Sequence, residues 1–153
     1  MLTRKAKYAL KAMLVLARMS SGGPVFISDL ARLSGVPKKF LELILLDLRN
    51  VGLLESKRGK AGGYLLGLPA KDVMVGQVIR AVDGPMAPVP CLSKTAYRRC
   101  DDCEHEGECG VRLALRQAYL ASLAILEKTS LEDTLEMMAE SHEGIVAMPM
   151  YNI

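Results

Sequence analysis

The chain has 153 residues, is half hydrophobic by composition and carries a formal net charge of +3. That is apolar material for one ordinary core with a helix to spare for a partner. No Lys/Arg-led apolar stretch opens the chain and no apolar run approaches the roughly 18 residues of a membrane span, so a soluble cytoplasmic protein with no membrane partner is expected. The net charge conceals a division: residues 1–70 hold 12 Lys+Arg against 4 Asp+Glu, while residues 71–153 hold 8 against 13. The first part attracts polyanions and the second does not.

Thr3 is placed to cap a helix running to about Met19, with Ala6, Leu10, Met13, Leu14 and Ala17 at helical spacing and Lys5, Lys7, Lys11 and Arg18 on other faces. Ser20-Ser21-Gly22-Gly23-Pro24 stops it, and Ser28 is the expected N-cap of a short second helix ended by Gly35. Pro37 suits the first turn of the next helix, which carries Phe40, Leu41, Ile44, Leu45 and Leu48 on one face and stops at Gly52. Helix, tight glycine turn, helix is a helix-turn-helix, with the second helix as the reader. Two short strand-like runs, Leu53-Leu54-Glu55-Ser56 and Tyr64-Leu65-Leu66, flank the glycine-rich basic tip Lys57-Arg58-Gly59-Lys60-Ala61-Gly62-Gly63 and read as a β-hairpin wing.

Beyond Pro69 a short helix is expected over Val75 to Val82, closed by Asp83-Gly84, after which Pro85, Pro88 and Pro90 keep the chain extended up to Cys91. From Gly110 a longer helix carries Val111, Leu115, Ala118, Ser122, Leu123 and Leu126 in a stripe suited to pairing with a second copy. Ser130-Leu131-Glu132-Asp133 reads as a capping box opening a final short helix with Leu135 and Met138 inward, and from Ser141 no periodicity remains.

A reader helix lying in the major groove presents Lys38, Lys39 and Glu42 opposite Ile44, Leu45 and Leu48. Lysine donates to guanine or phosphate. Glu42 either accepts from cytosine N4 or is an ordinary exposed helix residue. Phe40 joins this DNA-binding set, and at the hairpin tip Arg58 suits a narrow minor groove with Lys57 and Lys60 on adjoining phosphates.

All four cysteines, Cys91, Cys100, Cys103 and Cys109, fall in one 19-residue segment with the spacing Cys-x8-Cys-x2-Cys-x5-Cys. Gathered thiols in an intracellular chain bind metal or do redox work more often than they build a disulfide framework. Thiolates take zinc or an iron–sulfur cluster. Only Cys100 and Cys103 form a close pair, and the unequal wide spacing suits a cluster better than one zinc ion. Arg98, Arg99 and Arg112 are expected to lower the thiol pKa values, and His105 is read as a solvated loop residue rather than a ligand. Cys100-x2-Cys103 lacks the strand and helix of a thioredoxin-like oxidoreductase, and no catalytic triad or carboxylate pair is present, so no enzyme is expected.

These motifs in order resemble the IscR-like, or Rrf-two, family of winged-helix regulators. The resemblance covers nearly the whole chain to about Glu140: Leu2-Thr3 to Ala12, Phe40-Leu41-Glu42, Leu48-Arg49-Asn50-Val51-Gly52-Leu53, Arg58-Gly59-Lys60-Ala61-Gly62-Gly63-Tyr64-Leu65-Leu66-Gly67, Val75-Gly76-Gln77-Val78-Ile79 and Ala81-Val82-Asp83. It implies a homodimer joined by the helix after Cys109, bound to double-stranded DNA at a roughly two-fold operator. It also implies a cluster, commonly [2Fe–2S], held by three cysteines matching Cys91, Cys103 and Cys109. Biogenesis-type relatives have a histidine three residues after the last cysteine. Arg112 stands there in this chain and cannot ligate. Cys100 is an additional thiol that admits a four-thiolate [4Fe–4S] site. The expected protein is mainly α. It comprises a winged helix-turn-helix with a two-stranded wing (1–84), a cysteine-bearing cluster loop (85–109), a long dimerisation helix with a short following helix (110–140), and a tail (141–153). Its expected function is that of a repressor whose operator binding follows an iron–sulfur cluster responding to iron, redox or nitric-oxide status. The alternative is a cluster-free thiol-redox or zinc-stabilised regulator.

Overall fold

The computed structural model describes residues 2–59 and 61–143, with side chains as far as Ser141. Thr3 is extended ahead of α1 (Arg4–Arg18), and its hydroxyl oxygen accepts the Ala6 N–H at 3.1 Å, satisfying one free donor of the first turn. The same hydroxyl donates to Asp83 Oδ1 at 2.5 Å, tying the start of α1 to the end of α4 (Val75–Asp83). Helix α1 is the hub of the core and touches α4, the helices Ile27–Ser34, Lys38–Asn50 and Leu131–Glu143, and the strand Gly63–Leu66. It buries Ala6, Ala9, Ala12, Met13, Leu16 and Ala17, while Leu10 and Leu14 are half-buried at the margin. Four alanines on this face let neighbouring helices approach closely enough to pack without voids.

Helix α2 (Ile27–Ser34) starts directly after Phe26, so Ser28 lies in the first turn instead of capping it, and no side chain caps this end. Val25 is responsible. Its N–H and C=O exchange 2.8 Å hydrogen bonds with Tyr64, which holds the chain extended to Phe26 and lets the helix begin one residue later. Gly35 ends α2 in the left-handed conformation, φ +63°. Pro37 then precedes α3 (Lys38–Asn50) as its N-cap residue rather than entering its first turn.

The wing is the antiparallel pair β1 (Leu54–Lys57) and β2 (Gly63–Leu66), in register Leu54 to Leu66 and Lys57 to Gly63. Through Tyr64, one pair in from the tip, the outer edge of β2 is stitched to Val25, so β2 is held on both edges. Gly63 permits this. Its φ is +143°, and a Cβ there would lie 2.5 Å from the Val25 carbonyl oxygen.

Gln77 caps α4 by accepting the Met74 N–H at 2.8 Å. Cys91 lies on a one-turn 3-10 helix, Pro90–Leu92, so the extended run expected up to Cys91 ends one residue earlier. Helix α5 (Gly110–Leu126) leaves the thiol segment, touches the 3-10 turns Pro90–Leu92 and Glu106–Glu108, and meets α4 near its far end, where Leu123 is buried and Leu126 packs on the core. These two members of the stripe expected to pair with a second copy are therefore used inside the single chain. The capping box at α6 (Leu131–Glu143) forms as expected: Ser130 N–H donates to Asp133 Oδ2 at 2.8 Å and Asp133 N–H donates to Ser130 Oγ at 3.0 Å. Helix α6 then returns to the first unit, placing Leu131 at 0% exposure in the same core as Ala6 and Leu45. Among the described residues no helix is long and apolar enough to cross a membrane. Lys60 and the last ten tail residues, 144–153, lie outside the described residues, whereas Ser141 to Glu143 continue α6.

Candidate nucleic-acid interface and thiol cluster

Helix α3 buries Leu41, Ile44, Leu45 and Leu48, leaving Lys38, Lys39 and Glu42 exposed as the sequence pattern required. Phe40 departs from its expected inward face: it is 51% exposed and meets the Tyr8 ring edge-on at 5.8 Å between centroids. One residue before Leu41, it is turned about 100° off the buried row, and Tyr8 on α1 gives it a partner at the rim. This leaves Phe40 accessible on the same helix as the two lysines.

Charge on α3 is partly settled by α1. Asp47 accepts a 2.6 Å ion pair from Lys5, whereas among the described residues Glu42 has no salt bridge and keeps its carboxylate available to a donor. Beyond α3, the Leu53 N–H donates to the Leu48 carbonyl at 3.0 Å and seats the hairpin directly on the reader helix. Lys57 ends β1 opposite Gly63, Arg58 follows exposed, and Gly62 N–H donates to Gly59 C=O at 2.9 Å to close the tip. A basic helix and a basic hairpin on one rigid support are suited to phosphate contact with base-edge readout between them. Helical spacing also sets Lys39, Leu43, Leu46 and Asn50 opposite the buried row, a strip that a count of cationic residues alone passes over.

The four thiols are free, and all of them line one cavity of about 480 Å³ together with Pro90, Arg98, Arg99 and Arg112. Cys91 forms a buried wall at 8% exposure, because its 3-10 turn packs against α5. Arg99 braces this loop by donating to the Glu104 carbonyl at 3.2 Å, Tyr97 donates to the Glu106 carboxylate at 2.8 Å, and His105 is exposed and does not line the thiol cavity.

The thiols differ in acidity. Cys109 is the N-cap residue of α5, where the Arg112 backbone N–H and the Cys103 thiol both stabilise its thiolate and lower its pKa. Cys103 goes the other way, pushed up to about 12, because hydrogen bonding to Cys109 and burial favour its protonated form. The expectation that nearby arginines depress the thiols holds in direction at Cys109, where the Arg112 charge adds the smallest of the lowering influences, and fails at Cys103.

Arg112 donates through Nη1 to the Glu106 carbonyl at 3.4 Å, while its Nε is buried with no hydrogen-bond partner. An orphaned cationic donor beside four soft ligands fits an anionic thiolate–sulfide group, since buried N–H groups need acceptors. Among the described residues no three His, Cys, Asp or Glu side chains gather tightly enough to hold a single metal ion. The thiols instead surround a cavity, an arrangement suited to a group larger than one ion.

A reader helix and a hairpin wing on a helical core define a winged-helix DNA-binding protein. Residues 2–137 match the Rrf2 family, described as an iron-dependent transcriptional regulator. An rrf2-like HTH-type transcriptional regulator of Rhodobacter capsulatus is 46% identical over 138 residues, spanning 88% of this chain and 92% of that protein. The HTH-type transcriptional regulator IscR of Escherichia coli is 41% identical over 102 residues, spanning 67% of this chain and 63% of IscR. Among solved structures, T. potens IscR superposes with a TM-score of 0.72 at 25% identity, over 92% of this chain and 90% of that one. CymR, the global cysteine regulator of B. subtilis, superposes with a TM-score of 0.70 at 29% identity, over 90% and 97% of the two chains. The chain belongs to the Rrf2 family. It is a DNA-binding transcription regulator and not an enzyme.

Proposed function

We propose that this regulator is a cytoplasmic repressor whose hold on its operator is set by an iron–sulfur cluster bound at Cys91, Cys103 and Cys109, with Cys100 as the fourth candidate ligand. The observation that carries this reading is the convergence of all four free thiols and the Arg112 side chain on one cavity at the N-terminus of α5. The family's description as iron-dependent and the likeness to IscR support it. When bound, [2Fe–2S] or [4Fe–4S] supplies a centre that answers to iron, redox or nitric-oxide status. The chain's own residues do the rest. Arg112 and the free N–H groups of α5 offset negative charge, and Cys91 fixes the buried side of the site.

Two copies pair through the exposed apolar face of α5, where Val111 is 62%, Leu115 36% and Ile125 65% exposed in the single chain. Within such a homodimer residues 1–84 bind DNA, 85–109 sense and 110–140 join the copies, with the wings spaced for a two-fold operator. Lys38, Lys39, Phe40, Glu42, Lys57, Arg58 and Lys60 form the DNA face. Cluster state biases one of two dimer geometries, and operator affinity follows by population shift.

Anaerobic purification with iron and sulfide quantification, followed by operator binding with and without the cluster, tests this. The combined Cys91→Ser, Cys103→Ser and Cys109→Ser variant is expected to lose the visible absorbance of the cluster, and a retained spectrum contradicts the ligand assignment. Zinc without sulfide would favour a zinc-stabilised module instead. The likeness to CymR and the placing of Cys103 and Cys109 on one cavity favour a second reading, a cluster-free thiol switch, which requires affinity to follow disulfide formation in metal-free protein.

A further inference from the structure

The outward strip of α3 holds a feature that phosphate contact does not use. Leu43 is 64% exposed, the most exposed large apolar side chain on the helix, and Leu46 three residues on is 43% exposed. Lys39 precedes the pair and Asn50 follows it on the same strip, opposite the buried Leu41, Ile44, Leu45 and Leu48. A lone exposed leucine is ordinary on a protein surface. Here, however, two stand at the centre of a reader helix, with Lys38, Lys39 and Arg49 on that helix and Lys57 and Arg58 on the adjoining hairpin. The surrounding charge selects a polyanion over an apolar protein partner.

A leucine has no donor or acceptor, so it cannot read a hydrogen-bonding base edge. The one apolar group displayed in the major groove of unmodified DNA is the C5-methyl of thymine. We infer that Leu43 is a specificity-determining residue that reads a thymine methyl in each half-site, with Leu46 walling the contact and Lys39 and Asn50 available for polar groups on either side. The inference rests on α3 being the reader helix and names what its central position selects.

The test begins with the full chain selecting duplexes from a random-sequence pool. The recovered half-site is expected to hold a thymine whose replacement by deoxyuridine, which removes only the methyl, weakens wild-type binding about fourfold, the worth of one buried carbon. Leu43→Ala is expected to bind the thymine duplex several-fold more weakly and to be indifferent to the replacement. Being an exposed site, it should leave the fold intact, and circular dichroism checks this. Leu43→Gln is expected to move the preference toward adenine at that position. A consensus that wild type binds equally with thymine or deoxyuridine at every position overturns the assignment of Leu43 alone, as does methyl sensitivity retained by Leu43→Ala. A selection that returns no consensus overturns the placement of α3 on DNA, and the Leu43 assignment with it.

Discussion

Arg80 Nη1 on α4 donates to Glu127 Oε1, just past the end of α5, at 2.7 Å. This ion pair joins the helix behind the reader to the helix that leaves the thiol cluster, and Gly76 brings the two within reach of each other: a Cβ there would lie 3.1 Å from the Leu126 carbonyl oxygen. Because the Glu127 side chain is 42% exposed, the pair contributes under about 1 kcal/mol to stability. Arg80→Ala is therefore expected to leave the urea midpoint nearly unchanged while reducing the difference in operator affinity between cluster-bound and cluster-free protein. An undiminished difference would remove this ion pair from the coupling.

Arg58 lies exposed at the hairpin tip beside Lys57. Arg58→Ala is expected to weaken operator binding, and the slope of log affinity against log salt should fall by about one for each phosphate that is no longer neutralised. Titrations at several salt concentrations read both effects, and an unchanged slope and affinity would place the wing off the DNA.

At Gly63 a side chain meets backbone that cannot yield cheaply, since the Val25 carbonyl is itself hydrogen-bonded to Tyr64. Gly63→Ala is expected to cost about 1–3 kcal/mol in strain and weakened pairing of the wing with Val25. Chemical denaturation followed by circular dichroism measures the loss, which should be accompanied by weaker operator binding.

Asp133 accepts from the Ser130 N–H and hydroxyl, which hold its carboxyl below the usual carboxylate range. A group with a depressed folded-state pKa stabilises the fold above its ordinary value, and that contribution is lost as pH falls through the depressed one. The gap in urea midpoint between wild type and Asp133→Asn should be present at neutral pH and narrow as pH falls below the ordinary carboxylate range. A gap that stays constant on acidification would mean that the carboxylate charge is not what stabilises the start of α6.

In cluster-free protein Cys109 and Cys103 are adjacent thiols shifted in opposite directions. As pH rises, iodoacetamide is expected to modify Cys109 first, with Cys103 protected well into the alkaline range. Peptide mapping after short exposures reads the order, and equal modification of the two would contradict the shared hydrogen bond.

Most of the secondary structure was legible because it rests on local rules. Thr3 caps α1, Gly35 and Gly52 close α2 and α3, and the Ser130 to Asp133 box opens α6, each within a few residues of the signal that announces it. The misplacements share a different origin. Ser28 is a good capping residue, yet the cross-chain pairing of Val25 with Tyr64 decides where α2 begins. Phe40 has the polarity of a core residue, yet its angular position and Tyr8 hold it at the surface. Lys38, Lys39, Glu42 and Arg58 were readable as exposed interface candidates, whereas the outward strip centred on Leu43 becomes visible only when the buried row of α3 is known.

By itself, the sequence determined the helix-turn-helix, the basic hairpin, the clustered thiols and the family to which they belong, because periodicity, glycine placement and residue spacing are short-range properties. Tertiary structure decided that Cys91 is buried, that Cys103 and Cys109 divide one hydrogen bond into opposite acidities, that α6 packs back into the first core, and that Arg80 reaches Glu127. Each of these depends on the solvent and neighbours that long-range packing brings to a group, and no local pattern carries that information.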